Sequence, residues 1–182
     1  MTLSARQRED WRRHRVAWGN CIKCPTICDQ PKVFGRGTFS PDVLFVGAAP
    51  SKMDSTFGMP FTDSIGRLVE ASMSLVEKQM DCIVESYFTN LLLCHTSKEP
   101  TQPQIDSCRP RLERAIRIVG PKLVARVGLL AQRNVTVSSV PSINLPNPPR
   151  GRGASGASNR RLAHQYAEII IAALHAAEGG AE

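Results

Sequence analysis

Four short apolar segments, each followed by a stretch with helical periodicity, constrain the fold of this chain more than any other feature. The apolar segments are residues 42–49, 87–93, 122–128 and 140–146. Runs of this length and composition are typical of strands that are buried on both faces. The helical stretches are residues 4–18, 64–79, 103–119, a short one from Leu129, and 159–177. Because strands separated by helices pair in parallel, the sequence predicts an α/β class fold, a three-layer α/β/α sandwich around a four-stranded parallel sheet.

Length and composition are those of one soluble domain. The chain has 182 residues, of which 42% are apolar and 21% charged, so we expect a single domain over residues 1–182. Its apolar runs fall far short of the roughly 20 residues that cross a bilayer. Residues 1–20 form a basic segment without the apolar region of a secretory signal, and they predict a basic N-terminal helix. We therefore expect a cytoplasmic monomer with no membrane partner.

Positive charge is concentrated in one part of the chain. The net charge is +7, and residues 114–167 contain nine basic residues but no Asp or Glu. This imbalance favours a polyanionic partner such as nucleic acid, although a solvated basic face is the alternative. Within it, residues 146–161 are rich in Pro, Gly and Arg and predict an irregular loop at the carboxyl edge of the sheet. That loop is either a disordered surface segment or a DNA contact made by Arg150, Arg152, Arg160 and Arg161.

Six cysteines in a chain without a secretory signal indicate metal binding rather than disulfides. Cys21 and Cys24 form a close pair, Cys94 follows an apolar strand, and Cys108 opens a helical stretch. Four such thiolates could hold a 4Fe–4S cluster or a structural zinc ion. We interpret the remaining two, Cys28 and Cys82, as small buried hydrophobic side chains.

Three segments should meet at the carboxyl edge of the sheet: residues 46–66, 88–94 and 145–149. The second places Asn90 inside an otherwise apolar strand. A buried amide without partners costs about 1–3 kcal/mol, so Asn90 must find hydrogen bonds. It could read the edge of a flipped base, or it could simply cap the end of the strand.

The order of the motifs is similar to that of the uracil-DNA glycosylase superfamily, most closely the family 4 enzymes that carry an iron–sulfur cluster. The motifs are VFGRG at 33–37, DVLFVGAAP at 42–50, GMPF at 58–61, FTNLLLC at 88–94, SCRPRLE at 107–113, KLVARVG at 122–128 and an LPNP loop from 145. The resemblance spans roughly residues 18–175 and implies the same α/β/α fold.

The resemblance also implies roles for individual residues. The ligands of a 4Fe–4S cluster would be Cys21, Cys24, Cys94 and Cys108. Phe61 would stack on the flipped pyrimidine, and Asn90 would bind its edge. The base would also contact the backbone of Gly47, Ala48, Ala49 and Pro50, with Ser51 beside the DNA.

Two positions depart from the family pattern. Family 4 members usually carry an acid where this chain has Ala48, so the resemblance to family 5 points to Asp63 as the group that guides the attacking water. Asp63 could instead be only the N-cap of the following helix. Most relatives have a His where this chain has Asn147, which could stabilise the departing base or merely form a turn.

Together these features predict a monofunctional DNA glycosylase that flips out a pyrimidine and hydrolyses its N-glycosidic bond, leaving an abasic site. The substrate would be uracil, in DNA repair, or a 5-modified pyrimidine such as the hydroxymethylated or glucosylated cytosines of phage DNA, in antiphage defence. The small side chains of Ala48, Ala49 and Ser51 would leave room for the larger bases. The alternative is a catalytically silent relative that binds DNA or a modified base. A small iron–sulfur electron carrier is disfavoured, because Asn90 and Phe61 would have no role in it.

Overall fold

The computed structural model describes residues 4–24, 27–147 and 156–179. The helices are α1 (Ala5–Gly19), α2 (Lys52–Phe57), α3 (Ser64–Met80), α4 (Gln102–Val119), α5 (Leu129–Asn134) and α6 (Gly156–Gly179). The strands are β1 (Arg36–Gly37), β2 (Val43–Gly47), β3 (Ser86–Asn90), β4 (Leu123–Val127) and β5 (Ser142–Leu145). None of the helices in this part of the chain has the length and apolar character needed to span a bilayer.

The strands form one sheet in the order β1-β3-β2-β4-β5. The strands β3, β2, β4 and β5 pair in parallel, which confirms the predicted four-stranded parallel sheet. The sequence did not indicate β1, which adds an antiparallel edge beside β3. It has only two residues, too few for an alternating apolar pattern to be visible.

Helices cover both faces of the sheet, because the side chains of a strand point alternately to either side. On one face, Phe45 and its neighbours pack against α3 and α6, including Val69 and Ile170. On the other, Leu44 and Val46 pack against α4 and α5. The sandwich therefore has two separate apolar cores, with β2 buried throughout between them.

Two predicted boundaries were wrong. The strand predicted over residues 87–93 ends at Asn90, since Leu91–Leu93 leave the sheet while staying buried. The loop predicted over residues 146–161 is helical from Gly156, so Arg160 and Arg161 lie in α6. Its helix-breaking Pro and Gly residues are concentrated before position 156, and none follows until Gly179. Arg150 and Arg152 lie outside the described residues.

The segment between α2 and α3 is held against the start of α3 by a close backbone approach. A Cβ added to Gly66 would lie 1.8 Å from the carbonyl oxygen of Phe61. Gly66 is buried in the first turn of α3, whose N-cap is Asp63. Only a residue without a side chain fits there, so Gly66 sets the position of Phe61 relative to the helix.

We expect Gly66→Ala to lower the free energy of unfolding by about 3 kcal/mol, because the added methyl group displaces the backbone at Phe61. The measurement is urea denaturation followed by circular dichroism. Gly19→Ala is the matched control, since a Cβ there has no atom within 4 Å. The control should leave the stability unchanged or raise it by up to about 1 kcal/mol. Equal midpoints for the two variants would contradict the close-approach argument.

Candidate active site

A cavity of about 570 Å³, including its open mouth, lies at the carboxyl edge of the parallel strands. Seven of the residues singled out from the sequence line it: Gly47, Ala48, Ala49, Phe61, Asp63, Asn90 and Asn147. They come from the ends of β2 and β3, the segment before α3, and the segment after β5. The topology thus brings together side chains that are up to 100 residues apart in the sequence.

Asn90 ends β3 directly opposite Gly47 of β2. Its side chain is buried, and its Nδ2 has no hydrogen-bond partner within the described residues. A Cβ on Gly47 would lie 2.4 Å from the Asn90 Oδ1 and 3.0 Å from the Phe61 Cζ. Gly47 therefore provides the space in which the amide and the ring approach each other. The buried Nδ2 is thus a hydrogen-bond donor without a partner in the described part of the chain, on a residue that lines the cavity.

Phe61 has an unusual backbone conformation for a large side chain. Its φ angle is 59°, in the left-handed region, which costs on the order of 1–3 kcal/mol. Arg36 holds this conformation: its Nε donates to the Pro60 carbonyl at 2.8 Å and its Nη2 to the Phe61 carbonyl at 3.0 Å. The same guanidinium pairs with Glu70 of α3 at 2.6 Å and lies over the Phe88 ring. The Phe61 ring packs on Phe88 and presents its edge above Gly47.

Asp63 both caps α3 and lines the cavity. Its Oδ1 accepts hydrogen bonds from the backbone N–H groups of Ile65, at 3.0 Å, and Gly66, at 3.2 Å. Both capping bonds are made to this one oxygen, and Oδ2 takes no part in them. The carboxylate is thus held in a defined position, and none of the capping bonds among the described residues uses its other oxygen.

Asn147 also lines the cavity and is exposed. Its Oδ1 accepts the backbone N–H of Leu129 at 3.0 Å, at the start of α5. The close approach requires glycine at position 128, because a Cβ there would lie 2.7 Å from this oxygen. The amide NH₂ group of Asn147 is not used in that bond.

Asp54 belongs to the site, although no sequence motif singled it out. It is buried and lines the cavity. One carboxylate oxygen accepts the Ser51 N–H at 2.8 Å, and the other accepts the Thr62 N–H at 2.7 Å and the Thr62 hydroxyl at 2.6 Å. Asp54 therefore joins the turn after β2 to the segment that carries Phe61. The signal was present in the sequence, since Ser51 and Asp54 have capping-box spacing.

The other predicted DNA and base contacts that the structure describes do not line this cavity. Pro50 is buried, and its carbonyl oxygen lies 2.9 Å from the His95 Nδ1. Ser51 is the N-cap of α2. Arg160 lines a neighbouring groove between α3 and α6, and Arg161 is exposed on α6.

The four cysteines predicted to bind metal lie near one another, on the α4 side of the sheet. Cys94 and Cys108 are buried, Cys21 and Cys24 are half-buried, and all four are free thiols. Burial raises the pKa of the Cys24 thiol, and the nearby Cys108 and Cys21 thiols raise it further. The Cys94 thiol has its pKa raised by burial and by the same two neighbours. Within the described ranges, however, no three His, Cys, Asp or Glu side chains are arranged to hold a metal ion.

The prediction for one of the other two cysteines was wrong. Cys82 is exposed rather than buried, because it follows the left-handed residue Asp81 that ends α3. Cys28 is half-buried, and its thiol lies 3.7 Å from an Asp29 carboxylate oxygen.

Comparisons with known proteins identify the family. A family model described as "Uracil DNA glycosylase superfamily" matches residues 34–177. A type-4 uracil-DNA glycosylase of Sulfurisphaera tokodaii is 28% identical over 97 residues, which are 52% of this chain and 43% of the relative. A type-4 uracil-DNA glycosylase of Archaeoglobus fulgidus is 25% identical over 115 residues, covering 62% of this chain and 56% of the relative.

The chain spans about half the length of the curated relatives it matches. The family match nevertheless covers most of the chain and includes every described residue that lines the cavity. By this match, and with the parallel sheet and cavity described above, the chain belongs to the uracil DNA glycosylase superfamily.

Proposed function

We propose that this protein is a monofunctional DNA glycosylase that binds a pyrimidine flipped out of DNA and hydrolyses its N-glycosidic bond. The observation that carries the proposal is the unpartnered, buried Nδ2 of Asn90 beside the Phe61 ring. A planar ring and a fixed amide at the wall of one cavity suit a flipped base, which needs both stacking and hydrogen bonds at its edge. We further propose that residues 1–182 act as one domain, as a monomer in the cytoplasm.

The DNA would lie across the mouth of the cavity. The arginines proposed to contact its phosphates are Arg150, Arg152, Arg160 and Arg161. Arg160 supports this placement, since its groove borders α3 close to Asp63. Ser51 would contact the DNA strand at the side of the cavity mouth away from these arginines.

Asp63 and Asn147 are the proposed catalytic residues. A water molecule guided by the Asp63 Oδ2 would attack the C1′ carbon of the sugar and transfer a proton to that carboxylate. The bond between C1′ and the base nitrogen would break, and its electron pair would leave with the base. The Asn147 NH₂ group and backbone N–H groups would stabilise the charge on the departing base. Among the described residues that line the cavity there is no lysine, so the reaction would end at the abasic site without a Schiff base.

The base removed would be uracil or a 5-modified pyrimidine. The names of the curated relatives support uracil. Ala48 and Ala49 support the second possibility, because both are small and only half-buried at the cavity wall. Excision of hydroxymethylated or glucosylated cytosine would make the protein an antiphage enzyme, whereas uracil excision would make it a repair enzyme.

We propose that Cys21, Cys24, Cys94 and Cys108 hold a 4Fe–4S cluster. Each iron of such a cluster takes one thiolate, so its ligands are spread more widely than the ligands of a single ion. The donor set supports this proposal, since four cysteines are the number that such a cluster takes and the Cys21 and Cys108 thiols lie near enough to raise the pKa of both Cys24 and Cys94. The cluster would order the segments beside the DNA. A structural zinc ion is the alternative.

The test is an excision assay with the purified protein on single-stranded and duplex oligonucleotides. The oligonucleotides carry uracil, hypoxanthine, 5-hydroxymethylcytosine or glucosylated 5-hydroxymethylcytosine, and alkali reveals abasic sites. Cleavage at uracil or at an enlarged cytosine identifies the substrate. Tight DNA binding without cleavage at any base would overturn the proposal and support a silent base-binding relative.

Asp63→Asn should lower kcat about 100-fold without changing stability. Asn caps helices as well as Asp does, but it lacks the charge that would accept a proton from water. The measurements are single-turnover excision and the thermal unfolding midpoint. Asp81→Asn, at the opposite end of α3, is the matched control and should retain full activity. Unchanged kcat in Asp63→Asn would show that Asp63 is only a helix cap.

Cys94→Ala should lose most of the bound iron and the visible absorbance of the purified protein, because it removes one of the four proposed ligands. Cys82→Ala is the matched control, since Cys82 is exposed and outside the proposed set. Metal analysis also separates iron from zinc. Equal metal content in the two variants would contradict the proposed ligand set.

A further inference from the structure

Arg111 is a completely buried cation whose hydrogen bonds go to uncharged groups. It lies on α4 with none of its surface exposed. Its Nη2 donates to the backbone carbonyls of Asn90, at 2.6 Å, and Leu91, at 2.9 Å, and its Nη1 approaches the Thr89 hydroxyl at 3.3 Å. Its Nε has no partner within the described residues.

No carboxylate neutralises this charge in the described part of the chain. None of the ion pairs among the described residues includes Arg111. A buried charge without an opposite charge is strongly unfavourable, so an anion is expected close by. The residues that interact with Arg111 and could carry negative charge are Cys108, Tyr87, Cys94 and Cys21.

Two neighbouring groups do not supply that charge. Burial raises the pKa of Tyr87 far above its ordinary value, so its phenol stays neutral. His14 is also fully buried nearby, and its pKa is lowered to about 4 by burial and by the charges of Arg111 and Arg114. It is therefore uncharged at neutral pH. Three of the four cysteines remain, and Cys108 lies one helical turn before Arg111 on the same face of α4.

We propose that Arg111 is the counter-cation of the metal-bound thiolates and, through the same guanidinium, the positioning residue for Asn90. This inference rests on the proposed function and its four-cysteine site. Thiolates that bind a metal carry the negative charge that the described surroundings of Arg111 otherwise lack. Hydrogen bonds and charges around a cluster tune its retention and its potential.

The second role follows from where the carbonyls lie. Asn90 and Leu91 mark the end of β3, and Cys94 follows three residues after Leu91. Arg111 holds this end from the side away from the cavity, since the Asn90 amide lines the cavity while its carbonyl accepts from Arg111. The Thr89 hydroxyl, in turn, donates to the Phe34 carbonyl. One side chain thus joins the cysteine site to the backbone of the proposed base-reading residue.

The experiment compares Arg111→Met, which removes the charge, with Arg111→Lys, which keeps the charge but not the paired carbonyl bonds. Lys78→Met, on the exposed surface of α3, is the control for loss of a cation. Four quantities are measured on the purified, metal-containing proteins: the rate of metal release to a chelator, the reduction potential, the thermal midpoint, and kcat and KM for excision. Arg111→Met should release metal about 10-fold faster. Its potential should fall, because an oxidised cluster is favoured when a nearby positive charge is lost.

Arg111→Lys should keep the potential and release rate close to those of the unmodified protein while lowering kcat. Metal release and potential in Arg111→Met that match Lys78→Met would overturn the counter-cation role. Unchanged kcat and KM in Arg111→Lys would overturn the positioning role. If Arg111→Met does not fold, Arg111→Lys decides the first role, because metal release about 10-fold faster than from the unmodified protein, despite the retained charge, would overturn it.

The two proposals can fail separately. Metal release that depends on Arg111, in a protein that excises none of the bases tested, would support the counter-cation role and reject the glycosylase. An unmodified protein that excises bases but contains neither iron nor zinc would reject the counter-cation role and leave the glycosylase standing.

Discussion

The site depends on the parallel pairing of β2 with β3, which places Gly47 directly beside Asn90. Beyond the sheet, the Leu91 and Leu92 N–H groups still donate to the Gly47 and Ala48 carbonyls. This contact brings the turn after β2 and the segment after β3 to the same place, so one wall of the cavity is built from both. Because a one-residue shift in register would turn every side chain of β3 to the opposite face, the position of the Asn90 amide is determined by the whole apolar pattern of the strand.

Most of the fold was predictable from the sequence because it arises from periodic patterns. Apolar runs separated by amphipathic stretches identified the four parallel strands and the helices of the described chain other than the six-residue α2. The errors lie where the pattern is too short or ambiguous. The two residues of β1 show no alternation, and Leu91–Leu93 are as apolar as the strand they follow although they leave the sheet. The start of α6 at position 156 was not predicted, because the Pro and Gly residues just before it are typical of an irregular loop.

The site was only partly predictable, for a different reason. Residues at strand ends, such as Gly47 and Asn90, could be placed because parallel topology brings strand ends together. The roles of Arg36 and Arg111 could not be predicted, since their partners are backbone carbonyls of distant segments. Every residue has a backbone carbonyl, so the sequence does not indicate which one accepts such a bond. The role of Asp54 was visible in principle as a capping box, but its second function, holding Thr62, is a tertiary contact. The sequence therefore predicted the residues that line the cavity better than it predicted the residues that hold them in position.

The strained backbone at Phe61 has a consequence for the evolution and engineering of this protein. Glycine adopts a left-handed conformation without the steric penalty that a large side chain meets, so the main chain at this position would be relaxed by losing its ring. Removing the ring would, however, also remove a side chain that is only 6% exposed and packs on Phe88, which costs about 3–5 kcal/mol and so exceeds the strain that is relieved. Selection for thermal tolerance alone would therefore keep the phenyl ring, because the packing of the side chain outweighs the conformational preference of the backbone that carries it.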